Sequence, residues 1–236
     1  MKKYIGTKQI EAEPMTRGDA WGKHLLREKP STENFDDEGY HVRYEDGYES
    51  WSPKDTFEKA YKIAETPVDR MQIEAEEVNG RYVKLAAFID SGKMDEVVND
   101  MYNKCLLEIQ CGTMFDYIRL LDTRIQRMQG SDSAEVRKMN FGMAIMALKA
   151  GFPIRRSGWN GKGLMVFKQI PTHIESYVIP KMQSLPQSAK DLIIKGKGFI
   201  DYTSQCLIYN ENTGRADSWV PSISDVFADD WEIVLS

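Results

Sequence analysis

Cysteine is scarce in this chain: Cys105, Cys111 and Cys206 are the only three in 236 residues. Their odd number and their spacings exclude a disulfide framework, a zinc site and a Cys-x-x-Cys redox motif. They are read as reduced, partly buried thiols. Histidine is equally sparse, and His24, His41 and His173 lie too far apart in sequence to suggest a metal site. No run of ~18 apolar residues is present, so no transmembrane helix is expected. The opening residues, "MKKYIGTKQIEAEP", begin basic but lack the apolar stretch of a secretion signal, which makes the cytoplasm the expected compartment.

Catalytic signatures are missing as well. The pair Gly161-Lys162 invites comparison with a phosphate loop, but that loop needs a glycine five residues before the pair and Ser or Thr after it. Arg156 and Gly163 occupy those positions. There is no dinucleotide fingerprint, no serine in a G-x-S-x-G context and no histidine near Cys206 in sequence. The neighbours Asp229 and Asp230 fall at a short helix end. Consecutive helical residues do not face each other, so they are read as a solvated helix terminus and not as an acid–base pair.

Hydrophobic residues make up 42% and charged residues 28%, an ordinary globular composition. The net charge of −5 is unevenly spread: residues 1–135 carry −8 and residues 136–236 carry +3. The basic excess favours an anionic ligand for the C-terminal part. It is far too small for duplex nucleic acid.

The pattern implies an α+β protein in three segments: a small N-terminal α/β module (1–64), an antiparallel helical hairpin (65–132) and a C-terminal antiparallel sheet with packed helices (133–236). In the first, "YIGTKQIEAEPMT" reads as a strand broken at Pro14. "GYHVRYEDGYESWSP" reads as a hairpin turning at Asp46-Gly47, and Ser52-Pro53 reads as a helix start. In the second, Met71, Ala75, Val78, Tyr82, Leu85 and Ile89 alternate by four and three. So do Leu107, Cys111, Met114, Ile118, Leu121, Ile125 and Met128. Each set is an a/d seam, and Gly92 breaks the chain between them. Leu106, Ile109, Phe115, Tyr117 and Leu120 flank the second seam, more than one partner helix covers, which points to self-association. In the third, "VRKMNFGMAIMALKAG" reads as a helix closed by Gly151. Short strands follow at "FPIRR", "GLMVFKQI", "GFIDYTS", "QCLIYNENTG", "ADSWVPS" and "WEIV". Residues 171–188 read as irregular, a helix is placed at 187–195, and a second short helix at "SDVFADD" takes Ser224 as its cap.

One constellation suggests binding. Trp159 and Trp219 lie in polar, turn-rich surroundings, "SGWNGK" and "ADSWVPS", whereas Trp231 begins an apolar strand and is assigned to the core. An exposed indole in a polar turn either covers a sheet edge or stacks on a ligand, and stacking on a base is worth ~1–3 kcal/mol. Arg155, Arg156 and Lys162 could then pair with phosphates. Asn160, Asp217 and Ser218 could take ribose hydroxyls or base edges. Strand alternation lets only one of Arg155 and Arg156 point inward.

Several pieces, in this order, carry a resemblance: "MNFGMAIMALKAGFPIRRSGWNGKG", "LMVFK", "FIDYTSQCLIYNENTGRADSWVPS" and "SDVFADDWEIV". Together they resemble the Thoeris anti-defence 2 family of phage proteins. That resemblance implies a sponge and not an enzyme. It would work in the infected bacterial cell, hold the cyclic ADP-ribose isomers made by TIR-domain enzymes (glycocyclic ADP-ribose among them) and need no cofactor or metal. Some related sponges also take up the cyclic di- or trinucleotides of CBASS. Family members form homotetramers with ligand sites at subunit contacts. Carried onto this chain, the resemblance implies stacking by Trp159 and Trp219 on adenine. Asn160, Lys162, Asp217 and Ser218 would line the pocket, with Arg155 or Arg156 at the pyrophosphate. A structural adaptor assembling through the hairpin, or an enzyme degrading a nucleotide signal, are the competing functions.

Overall fold

The computed structural model of the chain describes residues 9–235, so the expected strand start at Tyr4 lies outside the described residues. Two compact units meet between residues 77 and 78, inside a long helix.

In the first unit, β1 (Ile10–Thr16), β2 (Glu38–Tyr44) and β3 (Glu49–Pro53) form an antiparallel sheet in that order, with α1 (Arg17–Gly22) after β1 and α2 (Lys54–Ala60) after β3. The β2–β3 turn is the one expected: Gly47 takes φ +80°, and the Gly47 N–H donates to the Tyr44 carbonyl. Pro14 does not break β1. It pairs with Tyr40 inside the strand, because β1 is an edge strand where a missing N–H can face solvent at no cost. Ser52 does not cap α2 either, since β3 runs on through Pro53 and the helix starts at Lys54 without a side-chain cap. Gly39 is obligatory, because a Cβ there would lie 2.4 Å from the Trp51 ring. That ring is fixed by its Nε1–H donating to the Met15 carbonyl at 2.9 Å. The helix α3 (Pro67–Asp90) begins as read from Thr66-Pro67. The Asp69 N–H donates to Thr66 Oγ1 and the Thr66 N–H to the Asp69 carboxylate, a reciprocal cap.

In the second unit the C-terminal half of α3 is followed by a short α4 (Met94–Val97), which the sequence pattern had as plain link, and by α5 (Met101–Met128). Asp100 caps α5 by accepting from the Tyr102 N–H. The α5 seam is in the expected register: Leu107, Cys111, Met114 and Ile118 are half-buried, and Leu121 and Ile125 buried. Met128, at the helix end, is exposed. Tyr82 of α3 meets Phe115 of α5 with ring centroids 5.7 Å apart. Cys105 is exposed and departs from the partly buried expectation, whereas Cys111 and Cys206 are half-buried.

The remainder of the second unit is α6 (Phe141–Lys149) packed on a five-stranded antiparallel sheet. That sheet contains β4 (Ile154–Arg156), β5 (Leu164–Lys168), β8 (Cys206–Asn210), β9 (Arg215–Trp219) and β10 (Trp231–Ile233), in the order β10-β4-β5-β8-β9. The stretch read as irregular contains β6 (Thr172–Ile174). It pairs with β7 (Ile200–Tyr202) as a separate ribbon, with α7 (Gln187–Lys195) between them as placed from sequence. A β6 of three residues, "THI", is too short for a period-2 pattern to register. The helix α6 starts only at Phe141, because Met139 is held in a bridge to Trp231 and Asn140 serves as cap, accepting from the Met143 N–H at 2.9 Å. Gly151, φ +91°, closes it as read: its N–H reaches the Leu148 carbonyl and the Phe152 N–H reaches Ala147, a Schellman end. The short α8 (Ile223–Val226) is capped by Ser222 and not by Ser224, with Asp225 returning the bond to the Ser222 N–H.

Alternation puts Ile154 and Val166 on the face under α6, where they meet Met139, Met143, Ala144, Ala147, Leu148 and Ala228 around a fully buried Trp231. Among the described residues no helix is long and apolar enough to cross a membrane. Replacing Trp231 with Ala should cost ~3–5 kcal/mol. That is a large share of the ~5–15 kcal/mol that holds an ordinary domain folded. Urea unfolding of the full chain followed by tryptophan near-UV dichroism checks this, and a loss below ~1 kcal/mol would show that Trp231 is not the centre of the core.

Candidate functional site

The segment "RRSGWNGKG" runs from the end of β4 through the turn to β5. Gly163 takes φ +77° at the turn's end. Gly158 is required for a different reason, since a Cβ there would lie 2.4 Å from an Asp230 carboxylate oxygen. That closeness exists because the Gly158 N–H donates to Asp230 Oδ2 at 2.8 Å. The glycines thus shape a turn around a carboxylate, and no phosphate cradle results.

Arg155 and Arg156 alternate across β4. Arg156 lies opposite Trp231 in the β4–β10 register and Arg155 opposite Glu232. Arg156 Nε donates to Asp230 Oδ1 at 2.7 Å, and its Nη1 donates to Asp225 Oδ1 at 2.9 Å and to the Ser224 carbonyl at 3.2 Å. Arg155, half-exposed on the opposite face, pairs with Glu232 at 3.2 Å. The guanidinium on the tryptophan side therefore already has two carboxylates.

The same Asp225 Oδ1 accepts the Trp159 indole N–H at 3.1 Å, while Oδ2 accepts from the Ser222 backbone N–H at 2.9 Å and hydroxyl at 2.7 Å. Its own backbone carbonyl accepts from Trp231 Nε1 at 3.0 Å. Asp225 is the buried acid of this cluster. Burial, the largest single effect, pushes its pKa up, but the hydrogen bonds from Ser222, Arg156 and Trp159 outweigh it and hold the carboxyl at about 2. Asp230 is also held below the usual carboxylate range, first by Arg156.

Trp159 and Trp219 both meet Trp231 edge to face, with centroids at 5.5 Å and 6.1 Å and interplanar angles of 77° and 80°. Edge-to-face contact at these distances is the favoured geometry of aromatic pairs. Trp219 is on β9 and Trp231 on β10, the two opposite edges of the sheet. Flat, those edges would be roughly 19 Å apart at ordinary strand spacing, so the sheet must twist and curl to bring the rings together. Trp159 and Trp219 remain half-buried, each with one edge in the core and part of its surface exposed.

The other sequence candidates are more dispersed. Asn160 and Lys162 are exposed in the same turn as Trp159, with the Lys162 carbonyl accepting from Asn212 at 2.7 Å. Asp217 shares the Trp219 face of β9 by alternation and pairs with Arg215 at 2.7 Å. Ser218 faces the other way. Two residues of the cluster are not legible as such in the sequence: Asp225, and Asp230, which there reads as part of a solvated helix end but is bonded to Arg156 and Gly158. The spacing Ser222-x-x-Asp225 was the available signal, since it is a capping-box pattern that anchors an acid. Among the described residues no group of three or more His, Cys, Asp or Glu could hold a metal.

Asp225→Asn should lower stability at pH 7 by ~1.5–3 kcal/mol, the value of charged hydrogen bonds. The folded-state pKa of about 2 lies below the ordinary aspartate value of 3.8. The wild-type carboxylate therefore stabilises the fold above about pH 4 and loses that contribution as the pH falls towards 2. Urea midpoints of the two proteins should converge over that window, and a pH-independent difference would refute the assignment. Gly158→Ala should destabilise by a further ~1–3 kcal/mol, because the Gly158–Asp230 bond cannot survive the added methyl.

Comparison with known proteins places this geometry. The model of the Thoeris anti-defense 2-like domain matches residues 139–234, the segment that contains α6, the curled sheet and all three tryptophans. A second model, described as Sequestin, matches residues 65–127, the helices α3 to α5. A relative named Thoeris anti-defense 2, from Bacillus phage SP01, is 34% identical over 102 residues, covering 41% of this chain and 96% of the relative. With a relative of that identity matched over nearly its whole length, and the same segment folded around one tryptophan cluster, this chain belongs to the Thoeris anti-defence 2 family.

Proposed function

We propose that this phage anti-defence protein works by holding a cyclic nucleotide alarm signal, glycocyclic ADP-ribose from TIR enzymes first of all, without cleaving it. The observation that carries the proposal is the pair of half-exposed indoles, Trp159 and Trp219, braced edge-on against buried Trp231. Family membership and the Sequestin match over residues 65–127 support capture as the mode of action.

The chemistry runs as follows. Trp159 cannot rotate freely, because its indole N–H is tied to Asp225 and its edge to Trp231. A ring immobilised before binding loses little entropy when a base stacks on it. Lys162 and Asn160, in the same turn, supply charge and hydrogen bonds to phosphate and ribose. Asp217, on the Trp219 face, takes a ribose hydroxyl or the adenine amine. Arg156 contributes by holding Asp225 and Asp230 in place, since its own charge is neutralised there. Arg155 and Ser218 face the opposite side of the sheet and would reach a ligand only across a contact with another copy, as a homotetramer with sites at subunit contacts would provide. Cyclic di- and trinucleotides share the base and phosphate features this surface would grip, so they are secondary ligands in the same proposal.

Incubating the full chain with TIR-made cyclic ADP-ribose and then heating it tests capture. Depletion followed by release of intact signal is expected. Release of fragments would make the protein an enzyme, and no depletion would leave a structural adaptor. Trp159→Ala and Trp219→Ala should each weaken binding by ~1–3 kcal/mol, one lost stack, measured by calorimetry on variants whose thermal melts remain cooperative. Wild-type affinity in both would sink the stacking geometry.

A further inference from the structure

The helix α5 carries a second stripe of large apolar residues, separate from the seam turned towards α3. Tyr102, Leu106, Ile109, Tyr117 and Leu120 are 69, 42, 58, 37 and 38% exposed. At roughly 200 Å² for a large side chain, these five leave about 500 Å² of side-chain surface in one line. That is at the upper end of what a monomer ordinarily presents in a single patch. The exposed flanking residues Gln110, Thr113, Arg124 and Met128 widen it towards the ~800 Å² that each partner contributes to a standard stable interface.

The pattern of the stripe says what covers it. Thr113 stands in its middle, with apolar residues four and seven positions before it (Ile109, Leu106) and four and seven after it (Tyr117, Leu120). Eleven positions out stand Tyr102 on one side and Arg124 on the other. A two-fold interface requires that residue i meets j while j meets i. An antiparallel crossing centred on Thr113 meets that condition: Leu106 opposes Leu120, Ile109 opposes Tyr117, and Arg124 opposes the Tyr102 ring as a cation–π pair. The centre of such a crossing needs a small side chain. Thr113 is small, and its hydroxyl is already committed to the Ile109 carbonyl at 2.8 Å, so its methyl is left for the contact. An open hollow of about 480 Å³ runs beside the stripe, lined by Val78, Leu106, Ile109, Thr113 and Tyr117, and gives a partner's ridge a groove to enter.

We propose that α5 pairs antiparallel with α5 of a second copy of this chain, crossing at Thr113. The pairing belongs to the helical segment and is independent of how residues 133–235 assemble. It joins two C-terminal domains into one particle, so that each dimer carries two copies of every site on them.

Site-directed cross-linking of the full chain tests the crossing point. In a Cys105→Ser, Cys111→Ala background, Thr113→Cys places a thiol on the two-fold axis, whereas Asp122→Cys, nine residues on, places one half a turn away on the opposite face. Mild oxidation should convert Thr113→Cys to a disulfide-linked dimer and leave Asp122→Cys uncross-linked. Equal cross-linking of both, or none in Thr113→Cys, would overturn the proposal. Light scattering of the Ile109→Lys, Tyr117→Lys double variant should show at least a twofold fall in particle mass. An unchanged mass would overturn the proposal equally, and a far-UV dichroism spectrum and cooperative melt matching the wild type separate lost pairing from lost folding.

Discussion

One carboxylate organises the C-terminal domain. Asp225 is nearly dry, yet it accepts from Ser222, Arg156 and Trp159 with its side chain and from Trp231 with its backbone carbonyl. A buried carboxylate with fewer partners would be costly. With this set it stays ionised and ties together three separate stretches of chain. Arg156 extends the network to Asp230, and Asp230 to the Gly158 N–H. The turn after β4, the short α8 and the last strand are therefore fixed relative to one another by a single charge cluster. The hydrophobic core below them supplies the burial energy and, through Trp231, holds both exposed rings, while the charge cluster adds a second tie to Trp159.

That arrangement suits capture. A protein that removes a signal from solution needs affinity without any group placed to break a bond, and affinity is gained most economically by surfaces that are rigid before the ligand arrives. Trp159 and Trp219 are such surfaces, because each is locked edge to face against Trp231. The helical segment matched by the Sequestin model, residues 65–127, adds an exposed apolar stripe along α5. The chain thus combines a ring-lined domain with a helical element suited to bring copies of it together.

Much of the fold was legible in order and type. The a/d alternation identified α3 and α5 with the right inward faces. Gly47 and Gly151 marked their turns, since left-handed backbone calls for glycine. The α+β character followed from one helix succeeded by short strands. Errors cluster where long-range context overrides local preference. Pro14 is tolerated because β1 is an edge strand, and edge position is a property of the sheet. Ser52 lost its cap because β3 pairs further along than its own residues indicate. Met139 left its helix because Trp231, 92 residues later, claims its backbone. The ribbon strand β6 was missed because three residues carry no period.

The candidate site divides along the same line. From residue types alone, the chain determined that its C-terminal half bears an aromatic and basic surface around Trp159 and Trp219, that Trp231 belongs to the core, and that only one of two adjacent arginines could face inward. Tertiary structure decided that Arg156 is the inward one and that its charge is spent on Asp225 and Asp230. It also decided that two tryptophans sixty residues apart share one buried neighbour. The physical reason is that residue chemistry and alternation are local, whereas neutralising a charge and curling a sheet until its edges meet depend on groups the chain brings together only when it folds.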